Sequence, residues 1–585
     1  MSIHFGTPQS LPQNYAILSR FANANSHSDE ETETPDLLGA EENSCDTTDS
    51  DTVDFNEHSN RRTNFPSPYI CPAQPAMNIV PNNQNIYSHS NAAETTPLLA
   101  PLMPRIEESV DKSDALEDIS TTKMFWEELR ILSKYTLPVF ITQVFEYSLI
   151  LASVISIGHI STSALAAATL GSMTASVSGY SIVQGFASTL DTVLPGAWTS
   201  DQPRLVGLWT QRMFVVTSAT LIPILTIWFN AEAILLLLRQ EPEVAHLAGL
   251  YMRWASLGLP AYAFNNIIRR YFQSQGLFAV PTRIILVIAP INAFLNYLLV
   301  WGPNSIRLGF IGAPIATAIS FNLVSITSVA YGVFFVKRTA WHPISKRSFT
   351  NLGVLVQLGL SGVGQTASEW WSWELVGLAA SQLGPVSLAT QSVLLNSASC
   401  TFQAPFALSV AASVRVGNLL GEKNARRAGV SANTSILVAI AIAAVWSTLF
   451  LSFRRSWGYL FNDDPEVVNL VSSILPLVAL FQVFDGTSAV TGGIFRARGK
   501  QFTGALLNLS AYYVLGIPLG IWLAFSRNMR LSGLWLGLTV ALVYSSAWGI
   551  YLCLKTDWQR EVKKVMDRLA TERKRRDADE ERRTR

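Results

Sequence analysis

Twelve apolar stretches follow one another between residues 136 and 554, and they constrain the possible fold more than any other feature. Each has roughly 20 residues, the length at which a helix crosses a hydrocarbon core about 30 Å thick. Because backbone groups inside a bilayer must bond within the chain, apolar spans of this length are helices. The sequence therefore predicts an all-α polytopic membrane protein with twelve transmembrane helices. The predicted spans are 136–158, 165–194, 206–229, 245–271, 284–301, 311–336, 351–380, 386–414, 430–452, 467–494, 504–525 and 531–554.

The basic residues between the spans indicate how the chain is oriented. If the N-terminus is cytosolic, the loops on that side carry 15 Lys and Arg, and the opposite loops carry 6. Basic residues concentrate on the cytosolic side of membrane proteins. Both termini are therefore predicted to lie in the cytosol. The long loop 337–350 divides the spans into two six-helix lobes, 125–336 and 351–555.

The two lobes repeat short patterns at one common offset. "GFASTLDTV" from residue 185 and "PFALSVAAS" from residue 405 share Phe-Ala 220 positions apart. "AYAFNN" and "FQVFDG" share a Phe at the same offset, which aligns Asn265 with Asp485. Two six-helix repeats in the same orientation are typical of two-lobed secondary transporters, whose binding sites lie near the membrane midplane. The sequence favours two lobes around a central cavity.

The segments outside the spans are polar. Residues 1–120 are rich in Ser, Thr, Asn, Pro and acidic groups, a composition that predicts disorder. Two acidic dileucine patterns there, ending at Leu38 and Leu99, favour sorting to a vacuolar or endolysosomal membrane. The plasma membrane and the endoplasmic reticulum are the alternatives. The charged tail 556–585 is predicted to be a solvated cytosolic helix.

Composition and motifs argue against several classes of function. A net charge of +1 does not fit a nucleic-acid partner. The four cysteines are too scattered for a disulfide framework or a metal cluster. We find no phosphate-binding Gly-Lys loop, zinc-binding His pair or nucleophile elbow. We therefore expect no enzyme, no cofactor and no nucleic acid, but a monomer whose partners are the lipid bilayer and small molecules.

The most informative polar segment is "SEWWSWE", which places Glu369 and Glu374 inside a predicted span. Ionisable groups within membrane helices are costly and usually face a cavity. Five residues correspond to about 140° around a helix, so only one of these acids is central to a cavity face. Trp370 and Trp371 offer electron-rich walls for an organic cation. The alternative is a tryptophan belt at the membrane surface with a snorkelling glutamate.

Other polar residues in the spans are further candidates. Asp485 lies midway along its span, where it either takes up and releases a proton or accepts a structural hydrogen bond. Glu146 is a similar candidate for proton coupling in the first lobe. Asp191 is near a helix end and is interpreted as structural, and Arg415 as an interfacial anchor. The candidates for lining the cavity in the eleventh span are Asn508, Tyr512 and Tyr513.

Several motifs together carry a resemblance to a known family. They are "GHISTSALAAATL", "LDTVLPGAW", "RRYFQSQG", "EWWSWE", "ASVRVGNLLGEKNARRA" and "FRARGKQ…N…YY…GIPLG". With these segments the chain resembles the multidrug and toxic compound extrusion (MATE) family, in its eukaryotic and particularly fungal branch. The resemblance covers about residues 125–555. It implies two six-helix lobes with a central cavity, and export of organic cations and other xenobiotics in exchange for protons or sodium.

The resemblance also implies roles for individual residues. It makes Glu369, Glu374 and Asp485 the acids of the second lobe and matches Gln143 to a glutamine that lines the cavity in animal members. The chain departs from the family at Gly196, where a Gln is usual, and at Glu146, where plant relatives have Gln. We expect an antiporter in which Glu369 and Asp485 are coupling carboxylates, with the proton as coupling ion and sodium as the alternative.

Two other functions remain open at this point. One is a flippase for a lipid-linked or bulky polar substrate, which would need a cavity lined by Arg and Lys. The basic residues are instead expected in loops. The other is a receptor or scaffold that does not transport and acts through its tails. Such a protein would not need Glu369 or Asp485.

Overall fold

In the computed structural model, residues 120–158, 160–462 and 464–584 are described. The polar segment before residue 120, with both dileucine patterns, lies outside the described residues. The described elements are helices, and no strand occurs among them. The six long helices of the first lobe are α1 (Thr121–Gly158), α2 (162–198), α3 (Leu205–Phe229), α4 (242–274), α5 (Ala279–Trp301) and α6 (Gly312–Phe335), and a short helix, Ala231–Leu237, lies between α3 and α4.

The second lobe repeats this arrangement and is followed by one more helix. Its elements are α7 (Leu352–Ser381), α8 (Pro385–Gly421), α9 (Ala425–Ser452), α10 (Pro465–Ala497), α11 (501–526), α12 (Arg530–Leu554) and the C-terminal helix α13 (Trp558–Thr584). By length and composition alone, 8 of the helical stretches in the described part of the chain can cross a membrane. The predicted twelve-helix, two-lobed fold is confirmed.

Three of the twelve helices are built from shorter segments. The turns of π-helix in α2 and α11 are of interest because such turns often occur at functional sites. The segments of α2 are Thr162–Ala175, Ser176–Tyr180 (π), Ser181–Ala187 and Leu190–Trp198. Those of α4 are Pro242–Ala255, Ser256–Gly258 (3₁₀) and Leu259–Ser274. Those of α11 are Gln501–Leu509, Ser510–Gly516 (π), Ile517–Ile521 and Trp522–Ser526 (π).

Several arginines that were expected in loops lie within helices instead. Arg269 and Arg270 belong to the last turns of α4, and Arg496 to the last turn of α10. The apolar runs end a few residues before the helices do, because polar side chains there pair with one another rather than with water. The expectation that these basic residues lie in loops is therefore wrong.

The two lobes approach each other closely where α2 meets α7. A Cβ atom on Gly362 of α7 would lie 2.3 Å from the carbonyl oxygen of Gly185 and 2.5 Å from Ser188 Oγ, both on α2. Only glycine allows two helix backbones to come this close. Small residues commonly serve this purpose between membrane helices.

Replacing Gly362 with Ala is therefore expected to force α2 and α7 apart. Overpacking of this kind typically costs about 1–3 kcal/mol. Gly353→Ala in the same helix is the matched control, since a Cβ there would meet nothing within 4 Å. Removing this exposed glycine should be neutral or stabilise the helix by up to about 1 kcal/mol. Thermal unfolding of both purified variants tests this, and equal midpoints would contradict the proposed contact.

The C-terminal helix α13 packs on the body of the protein. Glu561 and Glu572 are only 4% and 6% exposed. They are separated by about three helical turns and so share one face. Glu561 pairs with Arg498 of the second lobe at 3.4 Å, and Glu572 pairs with Arg212 of the first lobe at 3.1 Å. The tail is helical as expected, but the expectation that it is solvated is wrong for this face.

Candidate functional site

The acids predicted in the second lobe come from different helices and meet inside it. Glu369 lies just past the middle of α7, and Asp485 lies about midway along α10. Glu369 is within electrostatic range of Asp485, and both acids are within electrostatic range of Tyr512 of α11. Asp485 and Tyr512 are 7% and 2% exposed, whereas Glu369 is half-buried. The fold thus brings together three residues that are separated by up to 143 positions in the sequence.

The neighbouring polar groups hold α7 and α11 in register. Asn508 Nδ2 donates a hydrogen bond to the carbonyl oxygen of Gln365 at 3.1 Å, and the Tyr513 hydroxyl donates to that of Ser368 at 3.1 Å. Both acceptors lie on α7 within one turn of Glu369. Tyr512 and Tyr513 belong to the π turn Ser510–Gly516, where Tyr512 is buried and Tyr513 reaches α7. Asn508 and Tyr513, predicted with Tyr512 to line the cavity, therefore bond to the backbone of α7 within one turn of Glu369.

The acids of the two lobes differ in whether they are paired. In the first lobe, Glu146 pairs with Arg269, and Asp191 pairs with Arg270 at 3.1 Å. Among the described residues, Glu369, Glu374 and Asp485 make no ion pair and no side-chain hydrogen bond. A carboxylate without a cation partner is free to bind a proton or a cationic ligand. Among the described residues, the unpaired acids of this group therefore lie in the second lobe.

The two candidates of the first lobe, Glu146 and Gln143, form a site of their own. Arg269 donates to both, at 2.9 Å to Glu146 Oε2 and 3.1 Å to Gln143 Oε1. A cavity of about 20 Å³ beside this pair is lined by Thr142 and Asn265 as well, and it has room for one water molecule. To take up a proton, Glu146 would have to give up Arg269. The structure does not bring this pair into contact with Asp485.

The tryptophans of "SEWWSWE" have different environments. Trp371 is 41% exposed, and its Nε1–H donates to the carbonyl oxygen of Val177 on α2 at 3.2 Å, so it lies between the lobes. Trp370, on the adjacent position, is 38% exposed. Trp373 packs instead in the core against Phe481, with ring centroids 5.6 Å apart. Glu374 is half-buried, and its charge is not among those that act on Asp485.

The lobes are joined at the predicted cytosolic end by a cluster that the sequence interpretation missed. Glu128 of α1 is fully buried, and it accepts hydrogen bonds at 2.6 Å from Arg415 of α8 and from Arg427 of α9. Nearby, Thr199 of α2 donates to the carbonyl oxygen of Asn418 at 2.7 Å. The interpretation of Arg415 as an interfacial anchor is wrong, because it is buried in this contact between lobes.

A second missed group is Arg496, which pairs with Asp191 across the lobes at 3.3 Å. Asp191 is structural, as interpreted, but its partners come from both lobes. Gly499 is a sequence signal that could have identified Arg496 as a helical residue. Gly499 has a φ of +69°, and a glycine just past the last turn commonly ends a helix. A helix that continues to this glycine contains Arg496.

Comparison of the sequence with known proteins matches the chain twice to one family. A sequence model of the MatE family matches residues 138–298 and again 363–522, one match in each lobe. An uncharacterized transporter of Schizosaccharomyces pombe is 37% identical over 455 residues, which are 78% of this chain and 84% of that protein. Multidrug and toxin extrusion protein 1 of Homo sapiens is 30% identical over 444 residues, which are 74% and 76% of the two chains.

Solved structures give the same result at the level of the fold. The crystal structure of the eukaryotic MATE transporter AtDTX14 superimposes with a TM-score of 0.72 at 30% sequence identity. The match covers 76% of this chain and 99% of that one. A crystal structure of the Vibrio cholerae transporter VcmN in its bent form has the same fold, with a TM-score of 0.65 at 17% identity. The duplication predicted from the common offset agrees with the double family match.

Proposed function

The chain belongs to the MatE family of multi-pass membrane transporters, and from that premise we propose that it exchanges organic cations for protons by alternating access. Glu369 and Asp485 are the coupling carboxylates in this proposal. The proposed membrane is vacuolar or endolysosomal, where an acidic lumen would drive loading of the compartment with cationic xenobiotics. The names of relatives, such as multidrug and toxin extrusion protein 1, support the choice of substrate class.

The observation that carries the proposal is the contrast between paired and unpaired acids. Glu146 and Asp191 are held by arginines, whereas Glu369 and Asp485 have no ion-pair partner among the described residues. A proton and an organic cation can both neutralise such a carboxylate, but not at the same time. Competition for one charge is sufficient for exchange, because each ligand shifts the access states only by its differential affinity for them.

The aromatic groups near these acids suit a flat cation. Trp370 and Trp371 are partly exposed beside Glu369, and Trp371 reaches across to α2. An aromatic face attracts a cation within about 6 Å of the ring centroid. A planar cation could therefore contact both lobes while its charge faces Glu369. This geometry supports binding between the lobes near the middle of the membrane.

The direction of transport follows from the conformation and the gradient. The hydrogen bonds from Arg415 and Thr199 hold the lobes together at the predicted cytosolic end. This is the closed end of an outward-facing or lumen-facing transporter. A proton from an acidic lumen would then displace the cation from Glu369. The transporter would then change from its lumen-facing to its cytosol-facing state. The neutral carboxyl would release the proton to the cytosol.

The proposal is tested by reconstituting the full chain in liposomes with an acidic interior and adding ethidium outside. We expect ethidium uptake to be several-fold above that of protein-free liposomes, and the interior to become less acidic as ethidium enters. An outward sodium gradient imposed at equal pH should drive no uptake. Uptake that follows the sodium gradient, or that is independent of both gradients, would overturn proton exchange.

A further inference from the structure

Arg496 belongs to the second lobe, but it also bonds to the first. Its Nε forms an ion pair with Asp191 Oδ2 of α2 at 3.3 Å, and its Nη2–H donates to Ser409 Oγ of α8 at 2.8 Å. Its side chain is 14% exposed. The other oxygen of Asp191, Oδ1, accepts a hydrogen bond from Arg270 Nε at 3.1 Å. One buried carboxylate is thus shared between a guanidinium of each lobe.

The other side of Arg496 faces α7. A Cβ atom on Gly492, one turn earlier on α10, would lie 3.8 Å from Arg496 Nη1 and 2.9 Å from Gln365 Nε2. Gln365 is one helical turn before Glu369 on α7. This geometry places Glu369 within electrostatic range of the Arg496 guanidinium. Arg496 therefore lies between Asp191, which joins the lobes, and the proposed coupling acid.

The formal charges of this group do not balance without Glu369. Asp191 supplies one negative charge to two arginines, Arg270 and Arg496, which repel each other. An ionised Glu369 supplies the missing charge. When Glu369 is neutral, the three remaining groups carry an excess positive charge in a buried place, where unpaired charge is costly. The neighbouring Glu146–Arg269 pair is neutral overall and does not change this sum.

We propose that Arg496 is a positioning residue that makes separation of the lobes at the predicted cytosolic end depend on the charge of Glu369. While Glu369 is ionised and unoccupied, it helps to hold Arg496 at Asp191, and the lobes stay together. When a proton or an organic cation neutralises Glu369, the repulsion between Arg270 and Arg496 weakens the bond between the lobes. The transporter therefore changes between its two access states when Glu369 has bound a proton or a cation. It stays closed at the predicted cytosolic end when Glu369 is ionised and unoccupied.

This inference rests on the proposed exchange of protons for cations and adds the reason why the exchange is obligatory. An antiporter that could change its access state with no ligand bound would dissipate the proton gradient without moving substrate. The other titratable groups facing Glu369 are Asp485 on α10 and Tyr512 on α11, and the Tyr513 hydroxyl is bonded to the adjacent Ser368. Among these neighbours Arg496 is the one that also contacts the other lobe.

Proton leak in the absence of substrate tests the inference. Liposomes containing the full chain with Arg496→Gln are given an acidic interior and no organic cation, and the decay of the pH gradient is followed. We expect decay about tenfold faster than with the unmodified protein, within the usual range of coupling effects. Ethidium should also move down its own gradient without an equivalent counter-movement of protons. Arg496→Lys keeps the charge and should restore part of the tight coupling.

The matched control is Arg498→Gln, because Arg498 lies two residues further along the chain and pairs with Glu561 at 3.4 Å. It should leave the leak unchanged. If Arg496→Gln does not fold, Asp191→Asn is the substitute variant. It removes the same ion pair from the side of the first lobe and should produce the same leak. A folded Arg496→Gln or Asp191→Asn protein with no added leak would overturn the inference. Failure of the unmodified protein to exchange ethidium for protons would instead overturn the proposed function.

Discussion

Replacing Glu369 with Gln is expected to reduce proton-driven cation uptake to about a tenth or less, because Gln neither binds nor releases the proton that a buried acid exchanges. Gln has nearly the shape of a protonated Glu, so the fold should persist. Asp485→Asn should have a similar effect, since the charge of Glu369 acts on Asp485 and the two acids share one environment. The measurement is ethidium uptake into acidic liposomes, with an unchanged thermal midpoint as the check on folding.

A second readout separates coupling from binding. Adding ethidium to the purified, unmodified protein in weakly buffered detergent solution should release protons, and Glu369→Gln should abolish this release. The matched control is Glu374→Gln on the same helix, about 140° around it. Because Glu374 points in a different direction from Glu369, we expect a smaller loss. Normal proton-driven uptake in both Glu369→Gln and Asp485→Asn would contradict the proposed mechanism.

Replacing Glu128 with Gln should have the largest effect on stability. The change removes the buried counter-charge that Arg415 and Arg427 share at the contact between lobes. Breaking a buried ion pair from one side typically costs about 3–5 kcal/mol. The adjacent Glu127 is the matched control, because its side chain is 38% exposed and contacts only the outer part of Arg427 at 3.2 Å. Glu127→Gln should cost less than about 1 kcal/mol.

The pH dependence of stability gives an independent check on Glu128, which precedes the predicted span. Burial raises the pKa of Glu128, but hydrogen bonds and charge from Arg415 and then Arg427 outweigh this, so that its pKa is lowered from 4.5. The folded protein therefore gains stability from this carboxylate above pH 4.5 and loses it as the pH falls through the lowered value. Thermal midpoints measured downward from pH 5 should show this loss in the unmodified protein and not in Glu128→Gln. Equal midpoints of the two proteins at pH 7 would refute the buried pairing.

The coarse plan of the fold was predictable because it depends on local properties of the chain. Span length and hydropathy are read within about 20 residues, and a bilayer allows only helices for such spans. The twelve helices and the two lobes were found in this way. The same reasoning missed the start of α1 at Thr121 and the buried face of α13. Both segments contain charged residues, so they do not appear as apolar runs.

The sequence predicted which acids belong to the candidate site, but not which of them form ion pairs. Glu369, Asp485 and Glu146 are all acids in apolar stretches, and their sequence context does not show which of them has a cationic partner. The structure separates them, because Arg269 reaches Glu146 whereas no cation pairs with Glu369 or Asp485 among the described residues. Trp373 likewise resembles Trp370 and Trp371 in sequence but packs against Phe481 in the core.

The sequence by itself determined that this protein is a two-lobed bundle of membrane helices with a few acids inside, since solvation in a bilayer acts on each segment separately. Only the tertiary structure decided which of those acids are bound by arginines and which are free. Glu128 meets Arg415 and Arg427 across 287 and 299 residues. The energy of a buried charge depends on what lies within a few ångströms of it in space, and distance along the chain does not reveal those neighbours.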